Sequence, residues 1–400
     1  MPIAKHPISA LTEADLQALV TGGVREDRTL EFKQDTYGAS DDARVEFLAD
    51  ISAFANTLGG DLVLGVEEAQ GVASASVGMA TVTDIDQEIL RLTQIARSGL
   101  QPRLPVLELH PVPLTGGRHA LVIRVGRSYQ APHRVIFKGR NRFWARSSVS
   151  RYEPDVDELR ALFSVAPQVA TRVREMRSDR VVRILAGETP IPLKDDPGIS
   201  ILHLIPLASA DPMPRQVDLD RLRSAGAWFP WGATGYNERK NFDGFLTYSS
   251  AEGEKTRAYI QVFRSGVVEV AATGTVLVHN MTRTVWVKQL ARDFVQQVHK
   301  LVPVLLSAEV DPPYSVQLTI SGVRGTTFRV ENTNPAFLLH HASLAVERDT
   351  LFFMDALLAE GDSTFGQIAT ALKPTLDQLF QTAAYRACPW FNADGSVRLT

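Results

Sequence analysis

The chain has 400 residues, 44% apolar and 22% charged, with a formal net charge of −3 at pH 7, enough for two cores of ordinary size. No stretch approaches the roughly 18 to 20 uninterrupted apolar residues of a membrane span, and residues 1–14 have no basic segment leading into an apolar run, so neither a span nor a secretion signal is predicted. A single cysteine, Cys388, excludes a disulfide framework within the chain and a zinc site built from several thiolates, and the cytoplasm is the expected compartment.

Thr12 and Asp15 have the spacing of a capping box, and 14–20 carries apolar residues at helical intervals, which predicts a helix ending near Gly22-Gly23. A strand over 29–33 follows, with Leu30 and Phe32 on one face and Glu31 and Lys33 on the other. Phe47, Ile51, Phe54 and Leu58 recur at helical spacing over 42–58, and Gly59-Gly60 closes that helix before a buried strand over 61–67. A helix over 84–98 comes next, then strands at 106–112, 119–125, 135–137 and 142–146. A helical region from Pro154 to about 186, broken at Pro167, completes a mixed α and β unit. The Pro-containing, charged stretch 187–198 reads as a linker. The expected organisation is therefore a first domain over 1–186 and a second α+β domain over 199–400 that senses a ligand, recruits a partner or dimerises. Its predicted elements are a strand at 199–207, strands between 244 and 278, a helix around Leu290, Phe294 and Val298, two strands over 315–330 and a helix from Thr364.

The small net charge hides a segregation. Residues 109–152 contain no Asp or Glu but hold Arg118, Arg124, Arg127, Arg134, Lys138, Arg140, Arg142, Arg146 and Arg151, a local field suited to a polyanion. In the 142–146 strand, alternation puts Arg142, Trp144 and Arg146 on one face, where two guanidinium groups flank an indole. Such a surface neutralises phosphates and stacks an unpaired base. A core-packed Trp144, with the arginines paired to acids, is the alternative reading.

Three carboxylates form the sharpest constellation. Glu26 precedes the first strand, Glu31 lies on its non-core face, and Glu67 ends the strand after Gly59-Gly60. If the two strands are neighbours, the three converge. An oxygen-only set suits Mg²⁺ or Mn²⁺, which polarises a phosphodiester and lowers the pKa of a bound water. Lys33, on the same face as Glu31, is placed to hold a substrate phosphate. A rim of solvated surface charges is the alternative.

The string Glu26-Asp27-Arg28-Thr29-Leu30-Glu31-Phe32-Lys33, the stretch 51–68 containing Asn56-Thr57-Leu58-Gly59-Gly60, and Arg142-Phe143-Trp144-Ala145-Arg146-Ser147-Ser148 occur in that order. Together they resemble the Schlafen-type AlbA-like domain over residues 10–165. The resemblance implies an α+β fold, a mixed sheet with helices, and an acidic triad that cleaves transfer or ribosomal RNA. Its members map onto Glu26, Glu31 and the position of Glu67, where the family usually has Asp; Glu68 is an alternative third ligand. Phage defence is the setting the resemblance implies. Bacterial relatives are also named as ATP-binding proteins or transcriptional regulators. The chain has no second copy of the Glu-Phe-Lys and Asn-Thr-x-Gly-Gly motifs, so a homodimer is expected to supply the other wall of a groove.

Two functions are therefore expected as alternatives. The first is a metal-dependent endoribonuclease acting on structured RNA such as tRNA, with Mg²⁺ or Mn²⁺ on Glu26, Glu31 and Glu67. Lys33, Lys138, Arg140, Arg142, Trp144 and Arg146 would then lie on the nucleic acid. The second is a non-catalytic, nucleic-acid-binding or nucleotide-responsive regulator in which Glu26 and Glu31 are structural. Asn56-Thr57-Leu58-Gly59-Gly60 reads either as a phosphate-binding nest or as a helix stop and turn. No Walker-type or dinucleotide-type glycine loop supports ATP binding. His133 is a candidate general acid, His340-His341 lacks a third metal ligand at recognisable spacing, and Trp228-Phe229-Pro230-Trp231 with 236–241 is either a recognition loop or packed core.

Overall fold

A computed structural model of the chain describes residues 3, 8–105, 107–148, 150–211, 216–249, 254–330, 345–359, 364–392 and 395–398. Two compact units divide it, Met1–Val169 and Ala170–Thr400. His340 and His341 lie outside the described residues. No helix among the described residues is long and apolar enough to cross a membrane.

The first unit opens with α1 (Glu13–Thr21), capped as its spacing predicts: the Asp15 carboxylate accepts from Thr12 N at 2.8 Å and from its hydroxyl at 2.7 Å. Next come β1 (Leu30–Lys33), α2 (Asp41–Ala55), β2 (Gly60–Leu64), β3 (Val66–Ala69), β4 (Val72–Ser76) and α3 (Ile85–Gly99). The strands β5 (Leu100–Gln101), β6 (Leu107–Pro113), β7 (His119–Val125), β8 (Arg134–Phe137), β9 (Arg140–Phe143), β10 (Ala145–Arg146) and β11 (Arg151–Tyr152) precede α4 (Val156–Phe163). The main sheet has the order β1-β2-β7-β6, with β1 and β2 parallel and the other pairs antiparallel. Phe47, Ile51 and Phe54 of α2 pack on Leu62, Leu64 and Ile123, while Leu16 and Leu19 of α1 pack on Phe32, Val63 and Val122. With both faces covered, β2 is buried along its whole length and reads as a continuous run rather than an alternation.

Three expected boundaries move. The strand expected over 61–67 stops at Gly65, where φ is +91° and an added Cβ would lie 3.0 Å from Gly78 Cα and 3.1 Å from Ala120 Cα. Glu67 therefore leaves the main sheet for the β3–β4 ribbon. The strand expected over 142–146 is split at Trp144: β9 pairs with β8, and β10 pairs with β11. The helical region breaks at Ser164, and Pro167 sits in the first turn of α5 (Val165–Leu185), where a missing N–H is tolerated.

The unit boundary falls after Val169, within α5, so residues 187–198 are part of the second unit. There Ile191 is buried and Leu193 bridges to Thr256. The unit contains β12 (Ile199–Pro206), α6 (Leu219–Ser224), β13 (Asn237–Lys240), β14 (Gly244–Tyr248), β15 (Ala258–Phe263), β16 (Val268–Thr273), β17 (Leu277–His279) and β18 (Thr282–Trp286). It continues with α7 (Val287–Ser307), β19 (Tyr314–Ser321), β20 (Thr327–Arg329), β21 (Thr350–Phe352), β22 (Ala356–Leu358), α8 (Phe365–Ala371) and α9 (Lys373–Gln381). Its large sheet runs β13-β14-β15-β16-β12-β19-β21, with β22 also on β19.

Leu202 and Leu204 face the α7 core with Phe294 and Val298, together with Trp228 and Trp231, while Ile201 faces Val181 and Ile184 of α5. Under α5, the fully buried Glu269 accepts from Arg180 Nε at 2.7 Å and from the Tyr259 hydroxyl at 2.8 Å, and His203 Nε2 lies 3.2 Å away. Burial pushes this carboxyl up, but hydrogen bonds from His203 and Arg180 outweigh it and hold it at about 2.

Candidate nucleic-acid interface

β1 is an edge strand of the main sheet, and its parallel register places Glu31 opposite Leu62 and Lys33 opposite Leu64. Leu62 and Leu64 belong to the α2 side of the sheet, so Glu31 and Lys33 face that helix rather than open water. The Lys33 ammonium lies 3.2 Å from Glu46, 3.7 Å from Glu31 and 3.9 Å from Asp50. Burial opposes its charge, but Asp50, Glu31 and Glu46 together raise its pKa above the ordinary lysine value. Asp50 is 2% exposed and also accepts from the Tyr37 hydroxyl at 2.6 Å and from Arg151. Arg146 is itself buried; it pairs with the second Glu31 oxygen, donates to Asp27 O at 3.1 Å and lies over the Phe54 ring.

The other two carboxylates have partners as well. Glu26 accepts from Phe32 N at 2.8 Å, and Glu67 accepts from the Gln34 amide at 2.8 Å. The Glu26 carboxyl is raised, first by burial and then by the charges of Glu31 and Glu68, with the Phe32 hydrogen bond opposing. The register shift between Glu67 and Glu68 leaves the extra residue, Ser74, on β4. Among the described residues, no group of three His, Cys, Asp or Glu side chains is arranged to hold a metal ion. The carboxylates that a divalent ion requires are committed to arginine, lysine, amide and backbone donors, so the residues as arranged do not fit that ion.

The acid-free segment divides into buried and exposed cations. Arg124 forms a buried pair with Asp61 at 2.7 Å across the β2–β7 register. Arg146 is 3% exposed, and Trp144 is half-buried against the α2 core with the Arg151 guanidinium 5.6 Å from its ring centroid. The expectation that Arg142, Trp144 and Arg146 share one open face is corrected: the break at Trp144 resets the alternation and turns Arg146 inward. Lys138, Arg140 and Arg142 remain outside, at 65%, 48% and 57% exposure, on the β8–β9 hairpin. Their partners Asp41, Asp42 and Glu153 are exposed too, and such surface pairs are worth about 0 to 1 kcal/mol. A polyanion can displace them.

Asn56 is structural: its amide donates to His133 O at 3.1 Å and Trp144 O at 2.8 Å, and its oxygen accepts from His133 N at 2.7 Å. Gly59 and Gly60 are packing positions, where an added Cβ would lie 2.6 Å from Arg127 N and 2.5 Å from Thr29 O respectively. His133 is fully buried between Pro102 O at 2.8 Å and the Ser128 hydroxyl at 2.6 Å, with its pKa lowered by burial, which removes it from any exposed groove. Glu46, Asp50 and Arg151 were missed as members of the ionic cluster. The signal was present for Asp50, which lies on the same helical stripe as Phe47, Ile51 and Phe54; a charge on a core face calls for a buried partner.

A mixed sheet covered by helices on both faces, with an internally neutralised acidic centre and an exposed basic hairpin, defines the class of the first unit. Residues 26–155 match the family described as "Schlafen, AlbA_2". Among solved structures, the N-terminal domain of a RecG-related protein from Nitrosomonas europaea is similar at 24% identity and a TM-score of 0.26, covering 36% of this chain and 93% of that one. The DIP2311 protein from Corynebacterium diphtheriae is similar at 17% identity and a TM-score of 0.25, covering 36% of this chain and 29% of that one. No curated protein sequence is similar at a significant level.

Proposed function

We propose that the first unit is a nucleic-acid-binding domain that engages the phosphate backbone of structured RNA such as tRNA, and that it binds without cutting. The observation that carries this reading is the β8–β9 hairpin, where Lys138, Arg140 and Arg142 are exposed and held by weak surface pairs. The preference for RNA over DNA, a cytoplasmic setting and a homodimer that sets two hairpins on one groove belong to the same proposal. Metal-dependent cleavage by Glu26, Glu31 and Glu67 is the competing reading, and it asks Glu31 to release Arg146 and Lys33.

The test is incubation of the full chain with tRNA in Mg²⁺, Mn²⁺ or EDTA, with products on a denaturing gel and binding followed by anisotropy across a salt series. Intact RNA with steep salt dependence is expected. Three phosphate contacts per hairpin give a slope of about −2.7 in log K against log salt for each hairpin engaged, because each contact contributes about 0.9. The Lys138→Ala/Arg140→Ala/Arg142→Ala variant should lose that slope. Metal-dependent fragments that disappear in Glu31→Ala would instead establish the nuclease.

A further inference from the structure

The face of the large sheet that lies under α5 is polar in its interior. Alternation puts His203 on the same side of β12 as Ile201, and the β12–β19 register sets Gln317 opposite His203 and Thr319 opposite Ile201. All three polar side chains are fully buried. Among the described residues of the second unit, four buried side-chain atoms have no hydrogen-bond partner: His203 Nδ1, Gln317 Oε1, Thr319 Oγ1 and Arg177 Nε. Arg177 belongs to the same layer, because it pairs with Asp355, whose other oxygen accepts from Gln317 Nε2 at 3.2 Å. An unpaired buried polar atom is destabilising, so four in one layer call for a partner from outside the chain.

The chemistry of these atoms sets that of the partner. The Glu269 carboxylate only accepts, so His203 Nε2 is the donor of that pair; Arg180 balances Glu269 and Arg177 balances Asp355, which leaves an uncharged imidazole with Nδ1 as an acceptor. Gln317 Oε1 is a second acceptor, Arg177 Nε is a donor, and the Thr319 hydroxyl serves as either. An uncharged molecule with both donors and acceptors matches this set, whereas an ion of either sign would unbalance it. A cleft of about 180 Å³ lies next along the layer, lined by Val173 and Met176 of α5 and Ile205 of β12, with Arg172 and Ser209. Ile205 is two residues from His203 on one face of β12, and Met176 precedes Arg177. The polar groups of the cleft itself are occupied, since Arg172 donates to Ala210 O at 2.5 Å and the Ser209 hydroxyl to Pro206 O at 2.7 Å, so recognition falls to the buried layer. A cavity of about 150 Å³ takes one benzene ring, which sets the size of the guest.

We propose that the second unit binds an uncharged, single-ring molecule with an amide-type edge. The ring sits between Met176 and Ile205, and its edge pairs with His203, Gln317, Thr319 and Arg177. The site does not depend on nucleic-acid binding by the first unit and is tested without it.

The test is a titration of the full-length chain at neutral pH, to millimolar concentration, with uracil, cytosine and nicotinamide as probes. Benzoate is the charged control and benzene the apolar one, and binding is read from the methyl resonance of Met176. At least one of the three probes should shift that resonance saturably, and neither control should. Thr319→Val removes one hydroxyl at nearly constant shape; it should weaken the bound probe about fivefold, the loss of one hydrogen bond. Without probe, the same variant should unfold at higher urea concentration than wild type, because an unpaired buried hydroxyl is gone. If Thr319→Val does not fold, Gln317→Met carries the same expected loss of affinity. The proposal is overturned if none of the three probes gives a saturable shift, if benzene binds as tightly as they do, or if the valine variant keeps full affinity. It is also overturned if that variant is less stable than wild type without probe, the result expected when ordered water alone pairs the layer.

Discussion

Asn56 shows how much one side chain can settle. At 3% exposure it joins the end of α2 to the main chain of His133 and Trp144 through three hydrogen bonds. Asn56→Ala strands those groups in the interior, and a loss of about 3 kcal/mol in urea unfolding is expected. Glu26 works in the opposite sense. Its carboxyl is raised above the ordinary 4.5, so its protonated form is the one favoured by folding; that contribution is full below 4.5 and fades as pH rises through the folded value. Glu26→Gln keeps the acceptor for Phe32 N and should unfold at higher urea than wild type at pH 7. The gap should close below pH 4.5, and a gap of equal size at pH 3 would refute the burial argument.

Among elements, the turn from α2 into β2 depends on Gly59. Its φ is +74°, and an added Cβ would overlap Arg127 N at 2.6 Å and Val125 O at 2.8 Å. Gly59→Ala is expected to destabilise the first unit by about 1 to 3 kcal/mol or more, read from thermal or urea unfolding. α1, β1, α2 and α3 were legible in the sequence because capping and periodicity are local. The split at Trp144 was not, since Arg142 to Arg146 alternates like one strand and only pairing with two different partners, β8 and β11, divides it. The split decides which cations reach solvent, so the hairpin keeps Lys138, Arg140 and Arg142 while Arg146 is consumed internally. Replacing Arg142 alone should reduce the salt slope of RNA binding by about 0.9 for each hairpin engaged, whereas Arg146→Met should lower stability instead.

At the scale of the whole molecule, each unit carries its own core and its own buried charge network. In the second, Glu269 is fully buried beneath Arg180 and His203. Removing one partner of such a pair leaves an uncompensated charge, so Arg180→Met should lose about 3 to 5 kcal/mol in equilibrium unfolding. The Glu269 carboxyl is depressed to about 2, so its contribution is present above 4.5 and lost as pH falls toward 2. The stability gap between wild type and Glu269→Gln should narrow over that window and stay constant above it.

The α+β class, most helices and strands and the presence of a basic segment were legible in the chain of residues, because these depend on neighbours within a turn or a strand. Tertiary structure alone decided which charges face water. Glu31 and Arg146 are 115 residues apart and Lys33 and Asp50 sit on different elements, yet they meet because β1 is an edge strand whose polar side is covered by α2. A charge pattern names candidates; their partners, and so their chemistry, are chosen by packing that places distant segments within a few ångströms.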